Sequence, residues 1–137
     1  MSRATETRID GVRHVALSVS DLELSVSWYV NVLGCSELFR ETHPDRRTAI
    51  MRVLNGSLVI GLVEFRQHDG GFSPQRVGLD HLCFAVASRA DLEAWVARLD
   101  DHHVTHSGVI EMATSPIVNF KDPDGIALAL AIPPPLT

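Results

Sequence analysis

Apolar residues along the chain form two short continuous runs, and each run is followed by a stripe at helical spacing. Residues 14–19 and 81–87 are apolar segments bounded by polar residues, a pattern typical of buried strands. The stripe after the first run consists of Leu22, Val26, Tyr29, Val30 and Leu33, and the stripe after the second of Leu92, Trp95, Val96 and Leu99. This spacing predicts a first helix of about 12 residues closed by Gly34. It predicts a second helix that is capped by Ser88 and ends near Asp100.

Three shorter β-like segments follow each predicted helix. They are residues 37–42, 48–54 and 57–65 in the first half, and 104–107, 117–121 and 126–132 in the second. The pair Asn55-Gly56 predicts a hairpin between the last two strands of the first half. The segment 122–125, Asp-Pro-Asp-Gly, predicts a second one, because proline fixes φ and glycine accepts a positive φ. Each half therefore has the pattern βαβββ.

The chain also matches itself at an offset of 67 residues. Residues 11–19 fall on residues 78–86 with the same glycine, histidine and valine, and Trp28 falls on Trp95. Self-similarity of this kind predicts two copies of one structural unit. The predicted organisation is a tail (1–10), a first module (11–66), a linker rich in glycine (67–77), a second module (78–132) and a tail (133–137).

Composition and charge narrow the classes of function. The 137 residues fit one domain, and 45% apolar residues with 21% charged residues predict a packed core. Twelve Lys and Arg against 17 Asp and Glu give a net charge of −5, which offers nucleic acid no basic surface. No stretch approaches the roughly 18 apolar residues of a membrane span, so a cytoplasmic protein without a membrane partner is expected. Cys35 and Cys83 have apolar neighbours and are predicted to be buried and reduced.

The duplicated unit resembles the vicinal oxygen chelate superfamily, which includes glyoxalase I, the bleomycin-resistance proteins and the extradiol dioxygenases. The resemblance rests on a histidine early in the first strand of each copy and on residues 120–125, Phe-Lys-Asp-Pro-Asp-Gly, before the last strand. It spans residues 11–132. It implies an α+β fold in which two βαβββ modules form a curved mixed sheet around a cavity. It also implies a homodimer, in which modules pair within one chain or by exchange between two chains.

The same resemblance implies a divalent metal held by the first and last strands of the two copies. His14 and His81 match the first-strand ligands of the family. The position of the fourth ligand is Ala129, whose methyl group cannot coordinate a metal. Glu64 is the remaining carboxylate candidate, 50 residues after His14 and 17 before His81. A second alignment, on the apolar pair that precedes this ligand in glyoxalases, places Gly61 there instead.

Two classes of function therefore stay open. In the first, His14, Glu64 and His81 hold Fe, Mn, Ni or Zn with open coordination positions, which suits a lyase, isomerase or dioxygenase acting on a small oxygenated substrate. In the second, a metal-free pocket binds or sequesters a hydrophobic or cationic compound, as in bleomycin resistance. The histidine pair favours the first class and Ala129 favours the second.

Other candidate side chains are assigned structural roles. Trp28 and Trp95 lie on the helical stripes, where packing against the sheet is the expected role. Five further histidines fall in or beside predicted loops and edges and are expected to be solvated: His43, His68, His102, His103 and His106.

Overall fold

The computed structural model describes residues 6–53 and 58–135. Its first half contains β1 (His14–Ser18), α1 (Leu22–Asn31), β2 (Ser36–Thr42), β3 (Arg46–Arg52) and β4 (Val59–Phe65). Its second half contains β5 (Leu82–Ala85), α2 (Arg89–Asp101), β6 (His106–Ile110), β7 (Ile117–Lys121) and β8 (Ala127–Ala131). This order confirms the repeated βαβββ pattern.

The β6 strand lies further along the chain than the predicted segment 104–107. The N–H of Val104 donates to the carbonyl of Leu99 at 2.9 Å, so the chain there is still completing the end of α2. Gly108 then takes φ +70° at a bulge, where the β6–β7 register shifts. The predicted turn at Asn55-Gly56 lies outside the described residues, although the strands on either side of it pair as an antiparallel hairpin would.

Each half forms a four-stranded mixed sheet. The strand order is β1-β4-β3-β2 in the first sheet and β5-β8-β7-β6 in the second. The β1–β4 and β5–β8 pairs are parallel. Parallel strands need a long crossover connection, which one helix and two strands supply in each half. The remaining pairs are antiparallel. The architecture confirms the predicted α+β fold with two modules.

Alternation along the strands gives each sheet two different faces. One face of the first sheet, called here its helix face, packs against α1 with fully buried side chains such as Met51, Ile60 and Leu62. The corresponding helix face of the second sheet contains Val118, Leu128 and Leu130. This packing confirms most of the predicted stripes: Leu22, Val26, Tyr29, Leu33, Leu92 and Leu99 are buried, and Trp95 and Val96 are half-buried. Val30, which was predicted on the first stripe, is instead exposed at 37%. The opposite faces are called here the open faces.

Polar contacts join the two halves along α1. The Tyr29 hydroxyl donates to Asp122 Oδ2 at 2.9 Å, and Asp122 Oδ1 accepts from the N–H groups of Asp124 and Ile126, each at 2.9 Å. Burial raises the pKa of the Tyr29 hydroxyl and of the Asp122 carboxyl. At the other end of α1, the Arg98 guanidinium donates to the carbonyls of Val32 and Asn31 at 2.6 and 3.1 Å. The predicted Asp-Pro-Asp-Gly turn thus also anchors the helix of the other half.

The two cysteines differ in environment, which corrects the expectation that both are buried. Cys35 is buried behind α1, and burial raises its pKa to about 11. Cys83 is exposed because it lies on the open face of the edge strand β5. Both are free thiols. Among the described residues, neither helix has the length and apolar content needed to cross a lipid bilayer.

Candidate functional site

The open face of the first sheet carries three rows of side chains, which the strand register defines. The row at one end contains His14, Val59 and Arg52, the middle row Ala16, Gly61, Ile50 and Phe39, and the far row Ser18, Val63, Thr48 and Glu41. Successive rows are two residues apart, which is about 7 Å along the strands. A depression of about 450 Å³ lies over these rows. We call it the first-sheet depression.

Gly61 lies at the centre of this depression. A Cβ atom built there would meet the Ala16 Cβ at 3.4 Å and the Ile50 Cδ1 at 3.9 Å, which are ordinary contacts. The position therefore has room for a side chain directed into the depression, and the sequence leaves it unfilled. Beside this notch the Phe39 ring is 52% exposed, an unusual placement for an aromatic side chain in a strand.

His14 is polarised by its neighbour in the chain. The Arg13 guanidinium donates to His14 Nδ1 at 3.1 Å. Guanidinium has donors only, so Nδ1 must act as an acceptor and the neutral ring carries its proton on Nε2. This hydrogen bond makes Nε2 a donor, whereas metal ligation through Nε2 would need its lone pair. Among the described residues, neither Arg13 nor Arg52 forms an ion pair with a carboxylate.

His81 lies in another part of the chain's surface, directly before β5. Its Nδ1 lies 2.7 Å from Asp80 Oδ1, so this nitrogen carries the proton. The ring lines a larger cavity of about 1090 Å³ together with Asn119, Lys121 and Ala127. His14 does not line that cavity. The structure of one chain therefore leaves the two predicted histidine ligands in separate cavities.

Glu64 belongs to the helix face and not to the face that carries His14. It follows Leu62 at a spacing of two residues in β4, and its Oε2 accepts from the Leu22 N–H at the start of α1 at 2.6 Å. Arg47 donates to the same carboxylate at 3.0 Å. Its side chain is 22% exposed. Glu64 therefore holds the N-terminus of α1, where a carboxylate is favoured by the unpaired N–H groups and the helix dipole.

The register also identifies which residues of the two sheets are equivalent. Ala16 pairs with Gly61 across β1 and β4, and Cys83 pairs with Ala129 across β5 and β8. Ala16 and Cys83 are themselves 67 residues apart, the offset of the sequence repeat. Gly61 is thus the structural counterpart of Ala129, and both face the open side. The structure matches the second of the two sequence alignments, in which Gly61 takes the ligand position.

The side chains present do not fit a divalent metal held by one chain. The two positions on the open faces that correspond to carboxylate ligands carry a glycine and an alanine, and neither supplies a donor atom. Within residues 6–53 and 58–135, no three or more His, Cys, Asp or Glu side chains are grouped closely enough to hold an ion. His14 and His81 are both exposed and line separate cavities, and only His81 keeps a ring nitrogen without a proton for a metal.

The second sheet's open face is lined by small side chains. Its floor consists of Cys83, Ala85, Ala127, Ala129 and Ala131, with Asn119 of β7 beside Ala129. Sequence reasoning missed Arg13 and Phe39 of the first-sheet depression, and it named Gly61 only as an alternative ligand position. The facing of Gly61 follows only from its pairing with Ala16, and the β2 bulge between Glu37 and Phe39 hid the facing of Phe39.

Comparison with known proteins identifies the relatives of this chain. The profile of the Glyoxalase/Bleomycin resistance protein/Dioxygenase superfamily matches residues 11–130. The uncharacterized protein YaeR of Escherichia coli (strain K12) is 33% identical over 87% of this chain and 93% of its own length. The putative ring-cleaving dioxygenase MhqA of Bacillus subtilis (strain 168) is 26% identical over 90% of this chain, which corresponds to 40% of MhqA.

Solved structures give the same fold. A glyoxylase/bleomycin resistance protein/dioxygenase domain from Frankia sp. EAN1pec has a TM-score of 0.85 and 34% identity, covering 91% of this chain and 98% of that one. Two more distant structures share the fold alone. TnmS3, an antibiotic binding protein from Streptomyces sp. CB03234, has a TM-score of 0.71 at 23% identity, over 93% of this chain and 99% of TnmS3. FosX from Listeria monocytogenes, complexed with Mn(II), has a TM-score of 0.68 at 19% identity, over 90% of each chain.

Proposed function

The chain belongs to the Glyoxalase/Bleomycin resistance protein/Dioxygenase superfamily, and from that premise we propose that it binds a small molecule without a carboxylate-ligated metal. One observation carries the proposal: Gly61 and Ala129 occupy equivalent places on the two open faces. Members of this superfamily commonly bind divalent metals, as FosX does with Mn(II). A site without either carboxylate would depend on two histidines alone, which is a weak set for any of Fe, Mn, Ni or Zn.

The binding cavity of this proposal is shared between two chains. One chain exposes large apolar side chains that a partner could cover, among them Phe39 on the first open face at 52% and Met112 at 57%. The Tyr29–Asp122 contact and the Arg98 contacts hold the two halves of a chain together along α1. An exchanged homodimer would cover the first sheet of one chain with the second sheet of the other and give two equivalent cavities. In such a dimer His14 and His81 of each cavity come from different chains.

A metal-dependent lyase, isomerase or dioxygenase is the second candidate. The observation in its favour is that His14 and His81 are both retained and both exposed at cavity mouths. MhqA, which is named a putative ring-cleaving dioxygenase, supports a dioxygenase among these. A metal site that includes Glu64 would require its carboxylate to break its hydrogen bonds with Leu22 and Arg47 and to move to the other face of β4. Without Glu64, the metal would have to be held by the two histidines and solvent.

Metal titration separates the two candidates. Untagged protein purified without chelator is titrated calorimetrically with Ni(II), Zn(II) and anaerobic Fe(II), beside the variants His81→Ala and Gly61→Glu/Ala129→Glu. The binding proposal expects no stoichiometric metal in the wild type and a gain of affinity in the double variant, because two carboxylate ligands are restored. Stoichiometric metal in the wild type that is lost in His81→Ala would overturn it in favour of the enzyme.

A further inference from the structure

We infer that the first-sheet depression binds a flat organic molecule with one anionic group at the His14 end, an inference that rests on the proposed binding function. The charge distribution on the three rows points to this ligand class. Arg13 and the Nε2–H donor of His14 line one end of the depression, and the Arg13 guanidinium has no carboxylate partner among the described residues. A guanidinium without a carboxylate partner, next to a second donor, favours a carboxylate, phenolate or enolate oxygen.

The middle row supplies a flat apolar surface of limited width. Ala16 and Gly61 present almost no side chain, while Ile50 and the half-exposed Phe39 ring border them on the same row. A planar ring can lie in the notch at Gly61 with its edge towards Phe39, the geometry in which aromatic groups attract. A branched or bulky group would meet Ile50 and Ala16, which approach a built Cβ at 3.9 and 3.4 Å.

The far row limits the ligand to one negative charge. Glu41 lies there, about 14 Å from the His14 row by strand geometry, and His43 is its nearest partner at 3.4 Å. An anionic group near Glu41 would be repelled by its carboxylate, and a cationic group at the His14 end would be repelled by Arg13. The ligand is therefore a monoanion with an apolar body, oriented with its charge at the His14 end.

Three probes with one ring system test this assignment on the full chain at low ionic strength: 2-naphthoate, 2-naphthalenemethanol and 2-naphthylmethylammonium. Isothermal titration is expected to give at least tenfold tighter binding for the naphthoate than for the alcohol, with the ammonium weakest. Arg13→Gln should reduce naphthoate affinity about tenfold and leave the alcohol unchanged, whereas the matched control Arg8→Gln, in an exposed ion pair with Asp10, should change neither.

Gly61→Leu should abolish binding of all three probes by filling the notch. Gly71→Leu is its control, because a Cβ at Gly71 meets nothing within 4 Å and lies outside this depression. Equal affinity for the three probes that is still lost in Gly61→Leu would overturn the anion assignment while leaving the binding function in place. Absence of binding by every probe would overturn the inference outright. The proposed function is tested separately: stoichiometric metal in the wild type that is lost in His81→Ala removes it, whatever the three probes show.

Discussion

The two sheets of this protein have the same strand order and nearly the same helix faces, yet their open faces have little in common. On the helix faces, Ile60 and Leu62 of β4 correspond to Leu128 and Leu130 of β8, and all four are buried. On the open faces, the first sheet carries histidine, phenylalanine, isoleucine, arginine and glutamate, whereas the second carries a floor of alanines. Packing against a helix restricts side-chain size and polarity, and an open face is free of that restriction.

The two helices show a second difference between the halves. The N-terminus of α2 is capped locally, since Ser88 Oγ accepts from the Asp91 N–H at 3.1 Å and donates to the Asp91 carboxylate at 2.9 Å. Three carboxylates surround the N-terminus of α1: Asp21 binds the Leu24 N–H, Glu64 the Leu22 N–H and Asp124 the Ser20 N–H. Two of these come from distant parts of the chain. The first helix is thus positioned by tertiary contacts, and the second largely by its own sequence.

The largest expected effect separates the helix face from the open face within one strand. Leu62→Ala should lower the free energy of unfolding by about 3 kcal/mol, because it leaves a cavity beneath α1. Val63→Ala, the matched change on the open face, should cost about 1 kcal/mol or less, since Val63 is only half-buried. Urea unfolding monitored by circular dichroism measures both. Equal losses would mean that the open face of this strand is packed as tightly as its helix face.

A smaller effect concerns the contact that joins the halves. Tyr29→Phe should cost about 1 to 3 kcal/mol at pH 7, because the buried Asp122 carboxylate loses a donor. Burial raises the pKa of Asp122 in the folded state, and loss of the Tyr29 hydroxyl raises it further. The folded protein then binds a proton at Asp122 more readily than the unfolded chain does. The stability gained from this protonation is complete below about pH 4 and is lost as the pH rises through the folded pKa of Asp122.

The cost of Tyr29→Phe should therefore shrink as the pH falls from 7 towards 4. Unfolding curves at several pH values measure this change. In an Asp122→Asn background the same substitution should show no such pH dependence, because no carboxyl remains to take up the proton. A cost that stays constant in the Asp122 protein would contradict the assigned role of this carboxyl.

The fold could be predicted from the sequence because the helix faces obey simple periodicities. The stripes of α1 and α2, the strand β7 and the Asp-Pro-Asp-Gly turn all have local signals that tertiary structure does not override. The β6 strand was misplaced, because the extra turn at Val104 and the bulge at Gly108 leave no periodic pattern. Sequence periodicity therefore predicts an element correctly where that element packs against a single neighbouring layer.

The candidate site was less predictable because it depends on which face a residue occupies. A one-residue change in alignment moves a side chain across the sheet, and it was this ambiguity that left Glu64 and Gly61 as alternatives. Glu64 also fits a capping role that requires a contact 42 residues away along the chain. Alternation along β4 puts the two residues on opposite faces, and only the register with β1 shows that Gly61 shares the face of His14.

The two helix caps differ enough to be separated by mutation. Ser88→Ala and Glu64→Ala should each cost about 1 kcal/mol of unfolding free energy, because each removes an acceptor from a helix N-terminus. Glu64→Gln should recover much of the second loss, since the amide oxygen can still accept from Leu22, and Ser88→Asp should recover the first. Chemical denaturation measures both recoveries. If Ser88→Asp restores stability and Glu64→Gln does not, the distant cap of α1 depends on the charge of Glu64. Metal content unchanged in Glu64→Ala would agree with the proposed function.

The smallest effect on stability is expected at the cysteine of the second open face. Cys83→Ala should change the free energy of unfolding by less than about 0.5 kcal/mol, because the residue is exposed beside the alanine floor. A related prediction concerns thiol reactivity: in the native protein, iodoacetamide should modify Cys83 and leave the buried Cys35 unmodified. Partial burial raises the pKa of the Cys83 thiol above its ordinary value, and burial raises that of Cys35 to about 11. The rate of Cys83 modification should therefore increase about tenfold between pH 7 and pH 8, as the thiolate forms. Cys35 should react only after denaturation, and mass spectrometry of the digested protein distinguishes the two sites. Native modification of Cys35 at a comparable rate would contradict its placement behind α1 and the contrast between the two halves drawn from it.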